Sequence, residues 1–258
     1  MATVVSAFPI TRERDRFFSG VAIAMAVTVV AGFSLHYLAG RSTFAARPIV
    51  HVHAVAFMGW VALFTVQAQL GAGRETPHLH RRLGWLGAAW AVLLVVVAFA
   101  LMVDVIRRGV SPFFFRPQQF LIANCLGALT FAGFTAAAIR MRHRTDWHRR
   151  LHVVGTSMIM GPAFGRLLPS PLLQPWAFEI ASLAGLVFPA AGMMRDWRRY
   201  GRVHPAWIWA FVAMPASLVA AYLLAFSPIG DALYAAVTSG SPGANVPGLE
   251  FAPPPPSP

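Results

Sequence analysis

The sequence predicts an all-α, polytopic membrane bundle of about seven transmembrane helices, N-terminus inside and C-terminus outside, with one helix pair duplicated. Three observations point there. The 258 residues are 57% hydrophobic and only 12% charged, with a mean hydropathy of +0.60, whereas an ordinary soluble domain is roughly 25% charged. The apolar residues fall in blocks of about twenty, the length at which a helix crosses a hydrocarbon core. The net charge of +12 rests on 21 basic residues, all arginine, clustered between the blocks. That is the pattern of orientation charge, and the partner it implies is a lipid bilayer and no nucleic acid.

Taken in order, residues 1–16 read as a cytoplasmic leader carrying Arg12, Arg14 and Arg16. The first block, 17–38, is longer than a signal-peptide core of roughly 7–15 residues and reads as a retained helix. The next spans are 49–70, 83–105, 120–139, 152–168, 176–194 and 206–226, which closes a transmembrane bundle over 17–226. The fifth is interrupted by Pro162, Gly165 and Arg166, and the sixth contains Glu179 and Pro189, a pattern that a helix pair or a re-entrant segment would produce. With the N-terminus inside, 15 arginines fall on the inner side and 6 on the outer (Arg41, Arg47, Arg107, Arg108, Arg116 and Arg166). This asymmetry obeys the positive-inside rule across every loop. Segment 227–258, with its Ser/Gly/Pro run at 239–243 and prolines at 253–256, is expected to be a flexible external tail.

Residues 51–90 align with 119–158 at an offset of 68. The alignment superposes Gly59 on Gly127, Arg74 on Arg142, His80-Arg81-Arg82-Leu83 on His148-Arg149-Arg150-Leu151, and Gly87 on Gly155. Each copy is a helix descending inward, an arginine-rich turn, and a helix leaving with His-Arg-Arg-Leu at its foot.

The absence of lysine excludes a retinal or pyridoxal Schiff base. A single cysteine, Cys125, excludes an internal disulfide, a Cys-x-x-Cys-His haem attachment and a thiolate cluster. Any cofactor must be held by His, Met, carboxylate or backbone. The nine histidines sort to two faces: His36, His51 and His53 at the outer ends of spans one and two, and His78, His80, His143, His148, His152 and His204 at the inner side. His148 and His152, four residues apart, share a helix face, and His80 occupies the repeat position of His148. Two imidazoles on facing helices suit the axial positions of a haem iron, and Arg81 and Arg149 suit its propionates. His51 and His53 lie about 200° apart on a helix, so an outer site would use one of them, with His36 or Gln119 opposite. The spacing His148-x-x-x-His152, with His80, also fits a metal ion. His78, His143 and His204 are expected in solvent. Arg166 and Glu179 are expected to form an ion pair, as is Asp104 with Arg107 or Arg108. Gln67 and Asn124 are expected to bond between helices.

The strings His51-Val-His53, Gln67, His80-Arg-Arg-Leu-Gly84-Trp, Asp146-Trp-His148-Arg-Arg-Leu and Gly161-Pro162-Ala-Phe-Gly165-Arg166 resemble a family of uncharacterised bacterial multi-pass membrane proteins with a His-Arg-x-Leu-Gly motif, over most of residues 15–225. More distantly, the paired histidines look like the cytochrome b561-type cores that carry two haems b. That resemblance implies one haem between His80 and His148 or His152. A second would need a histidine on span four, which offers only Gln118, Gln119 and Asn124. The expectation the resemblance implies is therefore a haem b protein of the bacterial inner membrane acting in electron transfer, with a redox partner or a larger membrane complex. A His-ligated metal-dependent membrane enzyme and a cofactor-free structural or assembly subunit are the alternatives.

Overall fold

In the computed structural model, which describes residues 16–73 and 77–253, every regular element is helical. Arg12, Arg14, Arg74 and Glu75 lie outside the described residues. The long helices are α1 (Phe17–Leu38), α2 (Pro48–Ala72), α3 (Pro77–Arg108) and α4 (Pro117–Arg140). Then come α5 (Thr145–Ser157), α6 (Gly161–Leu167), α7 (Ala177–Ala184), α8 (Val187–Tyr200), α9 (Pro205–Ala225) and α10 (Pro228–Thr238). Proline opens α2, α3, α4, α9 and α10, where its fixed φ suits the first turn and its missing N–H would have had no partner. Gly109 and Gly201, at φ 65° and 66°, end α3 and α8 in a left-handed conformation that a side chain would oppose.

Six segments are long and apolar enough to cross a membrane: α1, α2, α3, α4, the α7–α8 pair and α9. Their outer faces carry exposed Val27, Val30, Val92, Val96, Val219 and Leu223, as lipid contact requires. The predicted fifth span falls on the end of α5 and on α6, which are broken from each other at 158–160. The predicted sixth falls on α7 and α8, broken at Gly185 and Leu186. The two breaks touch: a Cβ on Gly185 would stand 2.6 Å from the carbonyl oxygen of Ser157.

Successive helices α1 to α5 pack as neighbours, and α5 returns to α1. The larger core, with Phe18, Met25, Trp60, Phe64, Leu94, Phe131, Val154 and Trp207, fills this ring. Helix α6 lies on α1, while α8 and α9 cover α5. Contacts divide the molecule into two ends. One gathers the starts of α1, α3, α5 and α9 with the last turns of α2, α4 and α8. The other gathers the opposite termini and α10.

Residues 228–253 depart from the expected tail. Ser227 caps α10 by accepting from the Gly230 N–H, and Tyr234 and Thr238 are buried. Gln118 donates to the Ala225 carbonyl at 2.6 Å and to Asp231 at 2.8 Å. Arg107 donates to the carbonyls of Val237 and Ser239, and the Arg116 guanidinium lies over Phe226 and Phe251. Gly/Pro composition disfavours a core of the segment's own, but the segment borrows one by docking on α3 and α4. The prolines at 254–256 lie outside the described residues.

Candidate functional site

His80 and His148 are each the fourth residue of their helix, on α3 and α5. Their rings meet edge to face with centroids 6.3 Å apart. His152, one turn further along α5, lies edge to face with His148 at 4.7 Å. The fold thus brings the three inner histidines together. His148 Nδ1 lies 2.8 Å from the Ala138 carbonyl on α4; a carbonyl only accepts, so Nδ1 carries the proton and a neutral ring keeps its lone pair on Nε2. His80 is held at its backbone, where Gln67 of α2 donates to its carbonyl at 3.1 Å. This is the interhelical bond expected of Gln67. His80 Nδ1 and Gln67 Oε1 are buried with no hydrogen-bond partner.

The other residues singled out at this end separate. Arg81 is exposed. The Arg149 guanidinium sits 4.4 Å over the Phe18 ring of α1. His78 and His143 are exposed as expected. Among the described residues no group of three or more His, Cys, Asp or Glu side chains is arranged to hold a metal ion. A three-ligand metal site is therefore not formed among the described residues; the histidine rings meet edge to face.

Beside the histidines lies a polar network that the sequence reading missed. Arg150 and Asp196 are fully buried and paired through two bonds, Nε to Oδ2 at 2.9 Å and a terminal nitrogen to Oδ1 at 2.8 Å. The other terminal nitrogen donates to the Asp146 carbonyl at 2.9 Å. Trp207 Nε1 donates to Asp196 at 2.7 Å, and Arg195 adds a contact at 3.2 Å. A buried carboxylate is costly unless its lone pairs are taken, and here three donors take them. His204, expected in solvent, is 1% exposed. Its Nδ1 accepts from the Ala206 N–H, so Nε2 carries the proton and donates to Asp146 at 3.2 Å. Burial first, and then the Arg150 charge, hold the His204 pKa below its usual value against the opposing pull of Asp146 and Asp196. The signal available in the sequence was Asp196 itself, a lone acid between arginines 195, 198, 199 and 202.

At the opposite end the predicted histidines each meet a different neighbour. His51 Nε2 bonds the Phe44 carbonyl at 3.2 Å, His53 stacks on Phe57 at 4.2 Å, and His36 bonds Ser42. The Arg166–Glu179 ion pair is absent. Arg166 donates to the Pro162 carbonyl of its own helix and lies 4.0 Å over Phe33 of α1, whereas Glu179 accepts from Gln119 at 2.6 Å. Arg166 is thus engaged by its own helix and α1, and Glu179 by α4. Asp104 pairs with Arg108 at 2.9 Å as expected, and also with Arg47 at 3.3 Å. Asn124 bonds the Phe120 carbonyl within its own helix, not a neighbouring one.

Comparison with known protein families, with curated proteins and with solved structures finds no match for this chain.

Proposed function

We propose that this integral membrane protein binds one haem b at its inner end, where His80 and His148 would hold it, and serves electron transfer in a bacterial inner membrane. The observation that carries the reading is the His80–His148 pair. The two rings meet from α3 and α5 with centroids 6.3 Å apart, so a group held between these helices would have an imidazole from each. The Ala138 carbonyl fixes the proton of His148 on Nδ1, which leaves Nε2 for iron, as second-shell partners of ligating histidines do. Haem needs only two protein ligands, so the reading does not require the three-ligand arrangement a bare ion would. Bound haem b supplies reversible one-electron chemistry. The chain's part is to hold two imidazoles and to fix on Nδ1 the proton of a neutral His148 ring.

One haem is favoured over two, which limits the likeness to cytochrome b561-type cores. The outer ends of α2 and α4 would have to supply the second pair, but His51 is engaged by Phe44, and Gln118 and Gln119 are engaged by Asp231 and Glu179. In the same reading, α5 and α6 together make a broken fifth crossing, giving seven, with the histidine end inside. That end holds 12 of the 18 described arginines, in keeping with the positive-inside rule. Duplication of the helix pair is supported by the placing of the repeated string, whose histidine is the fourth residue of α3 and again of α5.

The test is the visible spectrum of the detergent-purified protein, oxidised and dithionite-reduced. The expected result is a Soret band with a sharp reduced α band, abolished by His80→Ala and by His148→Ala and retained by His152→Ala. A band that survives the first two substitutions overturns the site. A colourless protein without iron or zinc overturns the haem reading and leaves a structural or assembly subunit.

A further inference from the structure

We infer that α10 is a membrane-interface helix, with its flank of Ile229, Leu233 and Ala236 seated among lipid acyl chains at the end of the bundle opposite the histidines. Its contacts lay it across that end. Helix α10 follows directly on α9, whose last carbonyl, that of Ala225, accepts from Gln118 in the first turn of α4. It finishes over α3, where Arg107 donates to the carbonyls of Val237 and Ser239. Because α9 packs on α4 and α4 on α3, the helix crosses two interhelical spacings of roughly 8–10 Å each. Its 11 residues reach about 16 Å at the rise of an α-helix, so the fit requires α10 to run in the plane of the bilayer and not along the bundle axis. Gly230 permits the sharp turn out of α9: a Cβ there would fall against the carbonyls of Leu224 and Ala225.

Neighbouring groups set the depth. Tyr222 and Phe226 stack at 4.5 Å just before the helix begins, and the Arg116 guanidinium lies over Phe226; aromatic rings with a polar or cationic companion settle at the headgroup level. Arg107 and Arg108 mark the same level where α10 ends. Around the helix, Gly230, Tyr234 and Thr238 are buried against the bundle. Asp231 and Ala235 fall to one side of that stripe, and Ile229, Leu233 and Ala236 to the other. The Asp231 carboxylate accepts from Gln118, whereas the second flank has no charged group, and its Ile229 and Leu233 are 69% and 42% exposed. That flank continues the lipid-facing surface of α9: Val219, Leu223 and Phe226 are exposed and lead by steps of three or four residues into Ile229 and Leu233. A surface already committed to acyl chains thus runs onto α10 without a polar break, as in helices that lie at the boundary of headgroups and acyl chains.

The experiment is nitroxide accessibility on the full chain in nanodiscs of phosphatidylcholine and phosphatidylglycerol, with the label on I229C, L233C or A235C, each combined with C125S. Collisions with molecular oxygen, which concentrates among acyl chains, are compared with collisions with a water-soluble nickel chelate. Oxygen is expected to exceed the chelate severalfold in I229C and L233C, and the order to reverse in A235C. Should a labelled variant fail to fold, the unlabelled cysteines give the same readout through a membrane-impermeant maleimide, with fast reaction in A235C and slow reaction in I229C and L233C. Collisions dominated by the chelate in all three variants would place the flank in water and overturn the proposal. Low collision with both reagents in I229C and L233C would overturn it in favour of a protein cover, and spectral broadening relieved by dilution with unlabelled protein would identify that cover as a second copy of this chain.

Discussion

The string His-Arg-Arg-Leu stands at the foot of α3 and again at the foot of α5, and the two copies occupy different surroundings. In the α3 copy, Arg81 and Arg82 are exposed. In the α5 copy, Arg150 is fully buried and held by Asp196, while Arg149 covers Phe18. The difference comes from what packs on each foot. Helix α3 has α2 and α4 as its neighbours at this end, whereas α5 is also covered by α1, α8 and α9, which bring Phe18, Asp196, Trp207 and His204. One string therefore yields a surface cation in one place and the centre of a buried ion pair in the other. The histidines behave oppositely: His80 and His148, from the same two copies, converge.

The largest test of this contrast is Asp196→Ala. It leaves the Arg150 guanidinium buried without its counterion and should cost about 3–5 kcal/mol, read as a lowered midpoint in detergent unfolding. Trp207→Phe removes a single donor to the same carboxylate and should cost about 1.5–3 kcal/mol. Gly192→Ala presses a methyl group into the Trp207 indole; it should destabilise by about 1–3 kcal/mol, whereas Gly84→Ala, at the α3 foot, meets only Gln67 Nε2 at 3.4 Å and should be close to neutral.

A pH titration sharpens the same comparison. His204 titrates lower in the folded chain than its ordinary value near 6.5, so below that pH the unfolded state binds the additional proton. Stability should fall as pH drops through about 6.5 towards the folded pKa, by no more than about 1.4 kcal/mol per pH unit. His204→Asn keeps a residue able to cap α9 and should flatten that part of the profile; an unchanged slope would assign it to another group. The smallest effect belongs to the α3 foot: Arg82→Ala should stay within about 0.5 kcal/mol of the parent. A cost approaching that of Asp196→Ala would erase the contrast.

Several features were legible before any contact was known. Prolines 48, 77, 117, 205 and 228 each open a helix, because that preference is local to one turn. His148 and His152 share a face because the helix period places them there. Asp104 and Arg108 pair because they stand four residues apart on one helix. By contrast, Arg166 and Glu179 fall at the same end of the bundle in sequence but bind Pro162 and Gln119 instead. Their pairing depends on how α6 and α7 are rotated, which residue type and depth do not state. Residues 228–253 read as a tail because nothing in their own composition closes a core; the core they use belongs to α3 and α4.

By itself, then, the sequence determined the apolar helices, the division of arginines between two ends and the histidine pair carried by a repeated string. All of these follow from composition and from the 3.6-residue period of a single helix. The tertiary structure alone decided that Arg150 and not Arg82 is buried, that Asp196 is its counterion, and that His80 meets His148. Those outcomes depend on which helices lie side by side and how each is turned about its axis. In an apolar chain of this kind many packings satisfy the same hydropathy, and the few buried polar groups select among them because each must find a partner.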